Sequence, residues 1–326
     1  MSTDTSVRDA RGAGGDHPRS AGDPDQLPRP SRPIGRVGRE RGDGRGRPQN
    51  RRDRPRASVG NVLKWVYLGI GVVFAIVPFI WMVSGSFRSE SDLFGNPASL
   101  FPTSVTLHGY IGIWQQLPFL RLVLNTFVFA GVTTAATLLF DSMCAYALAR
   151  LQFRGRNIAF LIVLATLMVP FQVTLIPVFI ELFHLGWLNT YQGLIIPRAT
   201  SAFGIFLFRQ FFISIPTELD EAARIDGAGH WRIYWQVILP LAKPAIATVA
   251  VLNFMNLWND LLWPLVVSTS SDMLTLPAGL TLFGGAHVTD HAILLAGATI
   301  SLIPIAVAFF FAQKYFVAGV ATSGLK

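Results

Sequence analysis

Six long apolar runs, separated by shorter polar stretches, make up most of the chain beyond residue 62. The runs lie at about 63–84, 123–148, 157–179, 191–212, 245–268 and 292–314. A helix needs about 20 apolar residues to cross roughly 30 Å of membrane hydrocarbon. Each run has this length, so the pattern predicts six transmembrane helices and an all-α membrane protein.

The distribution of lysine and arginine between these runs predicts the orientation of the chain. The link after the second run holds Arg150, Arg154 and Arg156, whereas residues 180–190 and 269–291 hold no Lys or Arg. Further basic residues lie before the first run, in the link after the fourth run and at the C-terminus, so these basic segments alternate to one side. Because short cytoplasmic loops are enriched in Lys and Arg, both termini are predicted to be cytoplasmic. The excess of arginine over lysine suggests a GC-rich bacterial gene, so a bacterial cell membrane is expected.

Charge is concentrated at the N-terminus. The chain is 51% hydrophobic and 14% charged, and residues 1–60 hold 14 of the 27 basic and 8 of the 19 acidic residues. Large apolar residues are scarce there, so residues 1–58 are predicted to form a disordered basic tail attracted to anionic membrane lipid. Its Arg45-Gly-Arg-Pro48 stretch resembles a DNA minor-groove hook, but such short motifs arise easily in Arg/Gly-rich sequence, and no nucleic-acid partner is expected. Residues 59–326 are predicted to form the transmembrane domain, with its core at about 123–314.

A polar insert, residues 213–244, separates the fourth and fifth apolar runs. Thr217 is expected to cap a helix over 218–226, with Asp220 completing a weak capping box. Gly227 is expected to end that helix in the left-handed conformation, and a second helix should begin over 229–237.

One face of the first insert helix carries short side chains. Leu219, Ala222, Ala223 and Asp226 recur at three- and four-residue spacing, and paired alanines permit another body to approach closely. An amphipathic surface helix would satisfy the same pattern, so the spacing alone leaves docking and simple solvation as alternatives. Pro240 and Pro244 mark the return to the membrane.

The insert also carries a longer motif. Glu221-Ala-Ala-Arg-Ile-Asp-Gly227, followed by nine residues and Val237-Ile-Leu-Pro240, resembles the EAA loop of ABC importer permeases, with valine where isoleucine is usual. Further stretches resemble the carbohydrate, or MalG-like, branch of binding-protein-dependent permeases. These are Asn125-Thr, Ala145-Tyr-Ala-Leu-Ala-Arg150, Phe203-Gly-Ile-Phe-Leu-Phe-Arg-Gln-Phe211, Trp258-Asn-Asp260 and Pro264-Leu.

The resemblance implies a MetI-like ABC importer permease bundle with a cytoplasmic coupling helix, which imports a sugar or oligosaccharide. It implies no cofactor of its own, because ATP is bound by two partner ATPase subunits, and it adds a second permease as a heterodimer partner and an extracellular solute-binding protein. The residues that it implies for ATPase docking are Glu221, Ala222, Ala223, Asp226, Gly227, Leu239 and Pro240.

Polar side chains within the apolar runs are candidates for a substrate path, because ionisable and amide groups are costly at membrane depth. The candidates are Asn256, Asn259, Trp258, Asp260 and Arg198, since sugars bind amide and carboxylate groups together with an aromatic face. Polar residues also join helices to one another, and Arg198 could equally snorkel outward, so both interpretations stay open. Asp141 is expected to pair with a basic residue such as Arg209 or to reach interfacial water.

Alternative functions lack comparable motifs. No GxxxxGK[ST] phosphate-binding loop occurs, which disfavours an ATPase, and no nucleophile motif appears in an apolar run, which disfavours a membrane enzyme. Cys144 is the single cysteine and can form neither an intrachain disulfide nor a metal site by itself. An ion-coupled transporter using Asp141 and Asp260, or a permease for a non-sugar solute such as glycerol phosphate, remains an alternative. Prolines 170, 177, 197 and 304 predict kinked or interrupted helices.

Overall fold

The computed structural model describes residues 59–284 and 290–323, and within these ranges the chain is helical and contains no strand. The helices are α1 Val59–Gly85, α2 Glu90–Gly95, α3 His108–Gln116, α4 Phe119–Arg150, α5 Arg156–Thr166, α6 Phe171–His184, α7 Tyr191–Ile195, α8 Ala202–Ser214, α9 Glu218–Ile225, α10 His230–Ile233, α11 Leu239–Leu241, α12 Lys243–Trp258, α13 Leu262–Val267, α14 Leu276–Leu280 and α15 His291–Ser323. The predicted all-α architecture is confirmed. The predicted tail, residues 1–58, lies outside the described residues.

Three helices are long and apolar enough to cross a membrane without a break: α1 from Leu63, α4, and α15 as far as Phe311. Three bent helix pairs raise the number of candidate spans to six when each pair is counted as one span. In the pair formed by α8 and α9, however, α9 carries Glu218, Glu221 and Arg224 in only eight residues. We therefore assign the fourth span to α7 and α8, which together cover the fourth apolar run.

The third, fourth and fifth predicted spans are broken. The breaks in the third and fourth spans confirm the interruptions predicted at Pro170 and Pro197, whereas the break in the fifth span was not predicted. Between α5 and α6 the chain bends by 95° at residues 167–170, where Pro170 has no N–H to continue the helix. A short 3₁₀ turn, Ile196–Arg198, follows α7, and α12 and α13 are separated by residues 259–261. Pro177 and Pro304 lie inside α6 and α15, which continue through them, so these two prolines do not interrupt their helices.

Helix α4 lies at the centre of the bundle and packs against α8 and α12. Toward its C-terminal end, a cluster of buried residues joins α4 to α8 and to the insert, through Tyr146, Phe208, Phe212 and Tyr234. Toward its N-terminal end, Phe129 packs with Trp258 and Trp263 of the broken fifth span. The insert and the fifth span are therefore both anchored on the same long helix.

Asn125 and Thr126 fix the link between α13 and α15 onto α4. The Asn125 amide donates to the carbonyl oxygens of Asp272 at 2.8 Å and Leu274 at 2.9 Å, and its oxygen accepts a hydrogen bond from the Tyr191 hydroxyl at 2.6 Å. The Thr126 hydroxyl accepts the backbone N–H of Leu276 at 2.7 Å. These two positions of the Asn125-Thr motif thus satisfy buried backbone groups in a loop.

The link between α1 and α4 contains α3, which packs against α15. Nearby, Arg88 is fully buried, and its Nε lies 2.7 Å from a carboxylate oxygen of Asp92. Hydrogen bonds from the Arg88 side chain and from Thr103 hold the pKa of Asp92 well below its usual range. This pair gives the loop a fixed, charged core.

Candidate functional site

The polar insert folds as the sequence predicts at its glycine turn. Gly227 has φ of 79°, its N–H donates to Arg224 at 2.9 Å, and the N–H of Ala228 donates to Ala223 at 2.9 Å. This pair of bonds is the Schellman arrangement that satisfies the last carbonyls of a helix. The second helical segment is also present, as α10 followed by a wide helical turn, Tyr234–Ile238, and α11. The chain then bends by 77° into α12.

The predicted cap at the start of α9 is wrong. Thr217 has helical dihedral angles, φ −72° and ψ −22°, and its side chain makes no capping hydrogen bond. Asp220 does not complete a capping box, because its carboxylate is turned toward Arg150 at the end of α4, at 3.4 Å.

Arg150 is the central residue of this joint between the insert and the bundle. Its Nη2 donates to the carbonyl oxygens of Phe212 and Ile215, both at 2.7 Å, at the end of α8. The side chains of Arg150 and Asp220 are 3% and 9% exposed. One guanidinium therefore fastens α4, the end of α8 and the first turn of α9 together. From the sequence, Arg150 stands out only as part of a basic link and of a motif. Its position at the end of a span, on the same predicted side as the acidic first turn of the insert, was the available signal.

The residues expected to dock on an ATPase do not share one surface. Glu221, Ala222, Asp226, Gly227 and Pro240 are exposed. Ala223 and Leu239 are partly buried and pack against the cluster that holds the insert to the bundle. Ile225, which the sequence analysis did not select, is 88% exposed on the same helix. The accessible surface of the insert therefore combines acidic side chains and small residues with large apolar side chains, among them Ile225 and Trp231.

A second region of interest is a cavity of about 590 Å³ between α4, α6, α8 and α12, which we call the central cavity. Its polar lining consists of hydroxyl and amide groups and one guanidinium, contributed by Thr137, Thr174, Arg198, Thr200, Ser201, Asn253 and Asn256. A groove of about 710 Å³, which we call the adjoining groove, shares Phe171, Arg198, Leu252 and Asn256 with it. Asn259 and Asp260 line the adjoining groove only.

Trp258, a candidate for the substrate path, lies in the packed interior and not at either opening. Its side chain is fully buried, and its indole N–H donates to the Ser301 carbonyl oxygen at 3.1 Å. It packs in the cluster with Leu257 and Trp263 and lines neither the central cavity nor the adjoining groove. Trp258 therefore joins α12 to α15, while the neighbouring Asn256, Asn259 and Asp260 line the two openings.

Asp141 does not pair with Arg209, which corrects that expectation. Its carboxylate accepts the Thr200 hydroxyl at 2.6 Å and the Ser201 N–H at 3.1 Å, at the start of α8. Arg209 lies eight residues further along α8, about 12 Å at the helical rise. There its guanidinium lies 3.8 Å from the centroid of the Phe160 ring, and its Nε donates to the Leu148 carbonyl oxygen at 3.2 Å. Asp141 thus orders the break in the fourth span, where a carboxylate is favourable at a helix N-terminus.

Arg198 faces the openings and does not snorkel outward. Its Nη2 lies 3.0 Å from a carboxylate oxygen of Asp260, and its guanidinium carbon lies 4.3 Å from the centroid of the Phe171 ring. The other oxygen of Asp260 accepts the Trp263 N–H at 3.2 Å at the start of α13. The breaks in the fourth and fifth spans are therefore joined by an ion pair where the central cavity and the adjoining groove meet.

Comparison with known proteins gives a consistent result over most of the chain. Residues 142–322 match the family model described as "Binding-protein-dependent transport system inner membrane component". The arabinooligosaccharides transport system permease protein of Halalkalibacterium halodurans is 38% identical over 272 residues, which cover 81% of this chain and 97% of that protein.

Two further similarities are to transport proteins whose names give other solutes. The sn-glycerol-3-phosphate transport system permease protein of Yersinia pestis is 34% identical over 266 residues, covering 79% of this chain and 95% of that protein. A solved structure of a bacterial ABC transporter involved in the import of the acidic polysaccharide alginate has a chain that superimposes with a TM-score of 0.71 at 29% identity. The match covers 80% of this chain and 97% of that one.

Proposed function

The chain belongs to the family of binding-protein-dependent transport system inner membrane components, and we propose that it is the permease subunit that moves a sugar or oligosaccharide into the cell. The observation that carries this proposal is the central cavity, lined by hydroxyl and amide groups at breaks in two predicted spans. Unwound segments in transport proteins commonly lie next to the substrate path. The arabinooligosaccharide relative supports a saccharide as the solute.

In this proposal the insert is the part of the permease that contacts the ATPase subunits. Glu221, Ala222, Asp226 and Ile225 would meet a cytoplasmic ATPase, while Ala223 and Leu239 hold the insert to the permease itself. Two ATPase subunits would supply the nucleotide sites, and this chain would have none. A second permease would complete the path, an extracellular solute-binding protein would deliver the sugar, and both termini would lie in the cytoplasm.

The contacts of Arg150 would transmit a movement of the insert to the transmembrane helices. Because Arg150 binds the end of α8 and the first turn of α9, a displacement of α9 by the ATPase would be carried to α4 and α8 together. Both helices line the central cavity. Closure of the ATPase pair would therefore change the access to the cavity by movement of packed helices, an alternation between two states biased by nucleotide.

The proposal is tested by reconstitution. The chain should be purified with its partner permease and ATPase subunits, placed in liposomes, and supplied with the binding protein and ATP. ATP-dependent uptake of a labelled neutral oligosaccharide is expected from the complete assembly, and neither uptake nor ATP hydrolysis from this chain alone. Oligosaccharide uptake by the chain without any ATPase would contradict the proposal.

A non-sugar solute such as glycerol phosphate is the second candidate, favoured by the 34% identical relative and by the presence of a guanidinium at the cavity. An ion-coupled transporter has less support, because both carboxylates that it would use are already engaged. Asp141 is bonded by Thr200 and Ser201, and Asp260 is paired with Arg198.

A further inference from the structure

The ion pair between Arg198 and Asp260 occupies the junction of the two openings. Arg198 lines both the central cavity and the adjoining groove, and Asp260 lines the groove. Their side chains are 20% and 11% exposed, so both groups are largely shielded but remain in contact with the openings. A ligand that passes from the groove to the cavity would pass this pair.

The two openings carry no net charge along their described lining. Arg198 and Asp260 are the ionisable residues among the lining residues, with one positive and one negative charge. Asp141 lies close behind Thr200 and Ser201, but it is fully buried and its carboxylate is satisfied by them. The positive charge of Arg198 is therefore balanced by Asp260 and by no other lining group of the described chain.

Asp260 is a fixed partner and would not readily give up its position to an incoming anion. One carboxylate oxygen accepts the Trp263 N–H at 3.2 Å, and the other pairs with Arg198 at 3.0 Å. The carboxylate thus caps α13 as well as neutralising the guanidinium. An anionic ligand at Arg198 would meet this second negative charge at close range in a shielded place, where like charges repel strongly.

The same groups are well suited to hydroxyls. A sugar hydroxyl can donate to Asp260 and accept from Arg198, which uses one of its five donors on Asp260. Asn256 is exposed between the two openings, and its side chain forms no hydrogen bond within the described chain. The Phe171 ring lines both openings and offers an apolar surface to sugar C–H groups.

Resting on the proposed sugar permease function, we propose that Arg198 and Asp260 form a charge-balanced selectivity pair, which admits neutral, polyhydroxylated ligands and disfavours anionic ones. Arg198 and Asp260 are then specificity-determining residues of the path. Neutral oligosaccharides are the preferred substrate class, and uronic-acid oligosaccharides and phosphorylated polyols are disfavoured by the fixed carboxylate.

The decisive variant is Asp260→Asn. Asparagine keeps the oxygen that accepts the Trp263 N–H, so the cap of α13 is retained while the charge that balances Arg198 is removed. The double variant Arg198→Gln/Asp260→Asn removes both charges and is the matched control. Co-purification of each variant with the ATPase subunits shows that the assembly has folded.

Binding should be measured by calorimetry on the complete transporter in lipid nanodiscs without the binding protein, so that the permeases alone determine selectivity. The probes are neutral trisaccharides of pentose, hexose and N-acetylhexosamine units, a trisaccharide of uronic acids, and sn-glycerol 3-phosphate. The wild type is expected to bind at least one neutral probe at least about tenfold more tightly than either anion. Asp260→Asn should strengthen anion binding by about tenfold or more, because charge-assisted hydrogen bonds to an unpaired guanidinium are strong. The double variant should lose that gain.

Two outcomes separate the inference from the function on which it rests. If the wild type binds an anion as tightly as the best neutral probe, or if Asp260→Asn leaves the ratio unchanged, the selectivity pair is wrong while the permease function stands. If no saccharide binds to the wild type or to either variant, Arg198 and Asp260 do not contact a ligand and the selectivity pair is wrong. ATP-dependent oligosaccharide uptake by the complete assembly with its binding protein then decides separately whether the proposed permease function stands; no uptake there would refute it.

Discussion

The insert and the central cavity are both polar regions in a chain that is 51% hydrophobic, yet they are built in opposite ways. The insert takes its polar groups from one continuous segment, residues 213–244, and places many of them in solvent. The cavity takes its polar groups from α4, α6, α12 and the break at residues 196–201. A contiguous polar segment is visible in the sequence, whereas a polar surface assembled from distant segments appears only when the helices pack.

The largest expected effect comes from the joint between these two regions. Arg150→Met would leave the Asp220 carboxylate and the carbonyl oxygens of Phe212 and Ile215 without their partner. Removing one member of a buried pair costs about 3–5 kcal/mol. We expect a large fall in the thermal unfolding temperature and loss of coupled uptake. Arg154→Met, at an exposed arginine in the same link, should change neither; equal loss in both variants would show that the joint has no special role.

The next effect belongs to the cavity. A Cβ at Gly204 would overlap a carboxylate oxygen of Asp141, whereas a Cβ at Gly131 would meet no atom within 4 Å. Gly204→Ala should cost about 1–3 kcal/mol through overpacking and should disturb the hydrogen bonds that order the cavity wall. Gly131→Ala should be neutral or stabilising. Thermal unfolding and uptake of the two variants, measured side by side, would contradict this account if Gly204→Ala matched the control.

The smallest effect on stability is expected in the insert. Gly227 holds φ of 79° with open space around its Cβ position, and Gly229 has the same space at φ of −76°. A β-branched residue at Gly227 should cost about 1–2 kcal/mol of backbone strain, confined to the insert. Gly227→Val should therefore reach the membrane in normal amounts but bind the ATPase poorly, and Gly229→Val should bind it normally. Equal ATPase binding by the two would show that the turn does not matter for docking.

The difference between local and long-range contacts also explains which features of the fold and of the candidate site could be predicted from the sequence. The turn at Gly227 was predictable because it depends on local backbone geometry alone, and the six apolar runs were predictable from their length. The Thr217 cap and its capping box were not, because Thr217 itself has helical dihedral angles and Arg150 from another helix draws Asp220 away. Likewise Trp258, Asn259 and Asp260 are adjacent in sequence, yet only packing against Ser301 and Arg198 decides that the first is buried and the third lines the groove. The predicted contact between Asp141 and Arg209 was wrong because the packing of α4 against α8 places Asp141 at the start of α8, whereas Arg209 lies about two turns further along that helix.

One measurement tests most directly whether the insert binds the ATPase and the cavity does not. This measurement is the amount of ATPase that co-purifies with the permease from membranes. Glu221→Lys reverses a charge on the exposed insert, and Asn256→Trp fills the cavity. His230→Gln is a control on the insert, at one of the nine positions that the EAA pattern leaves unspecified. We predict that Glu221→Lys loses the ATPase while Asn256→Trp and His230→Gln retain it at the level of the wild type. Full retention of the ATPase by Glu221→Lys would contradict the assignment of the insert as the coupling element.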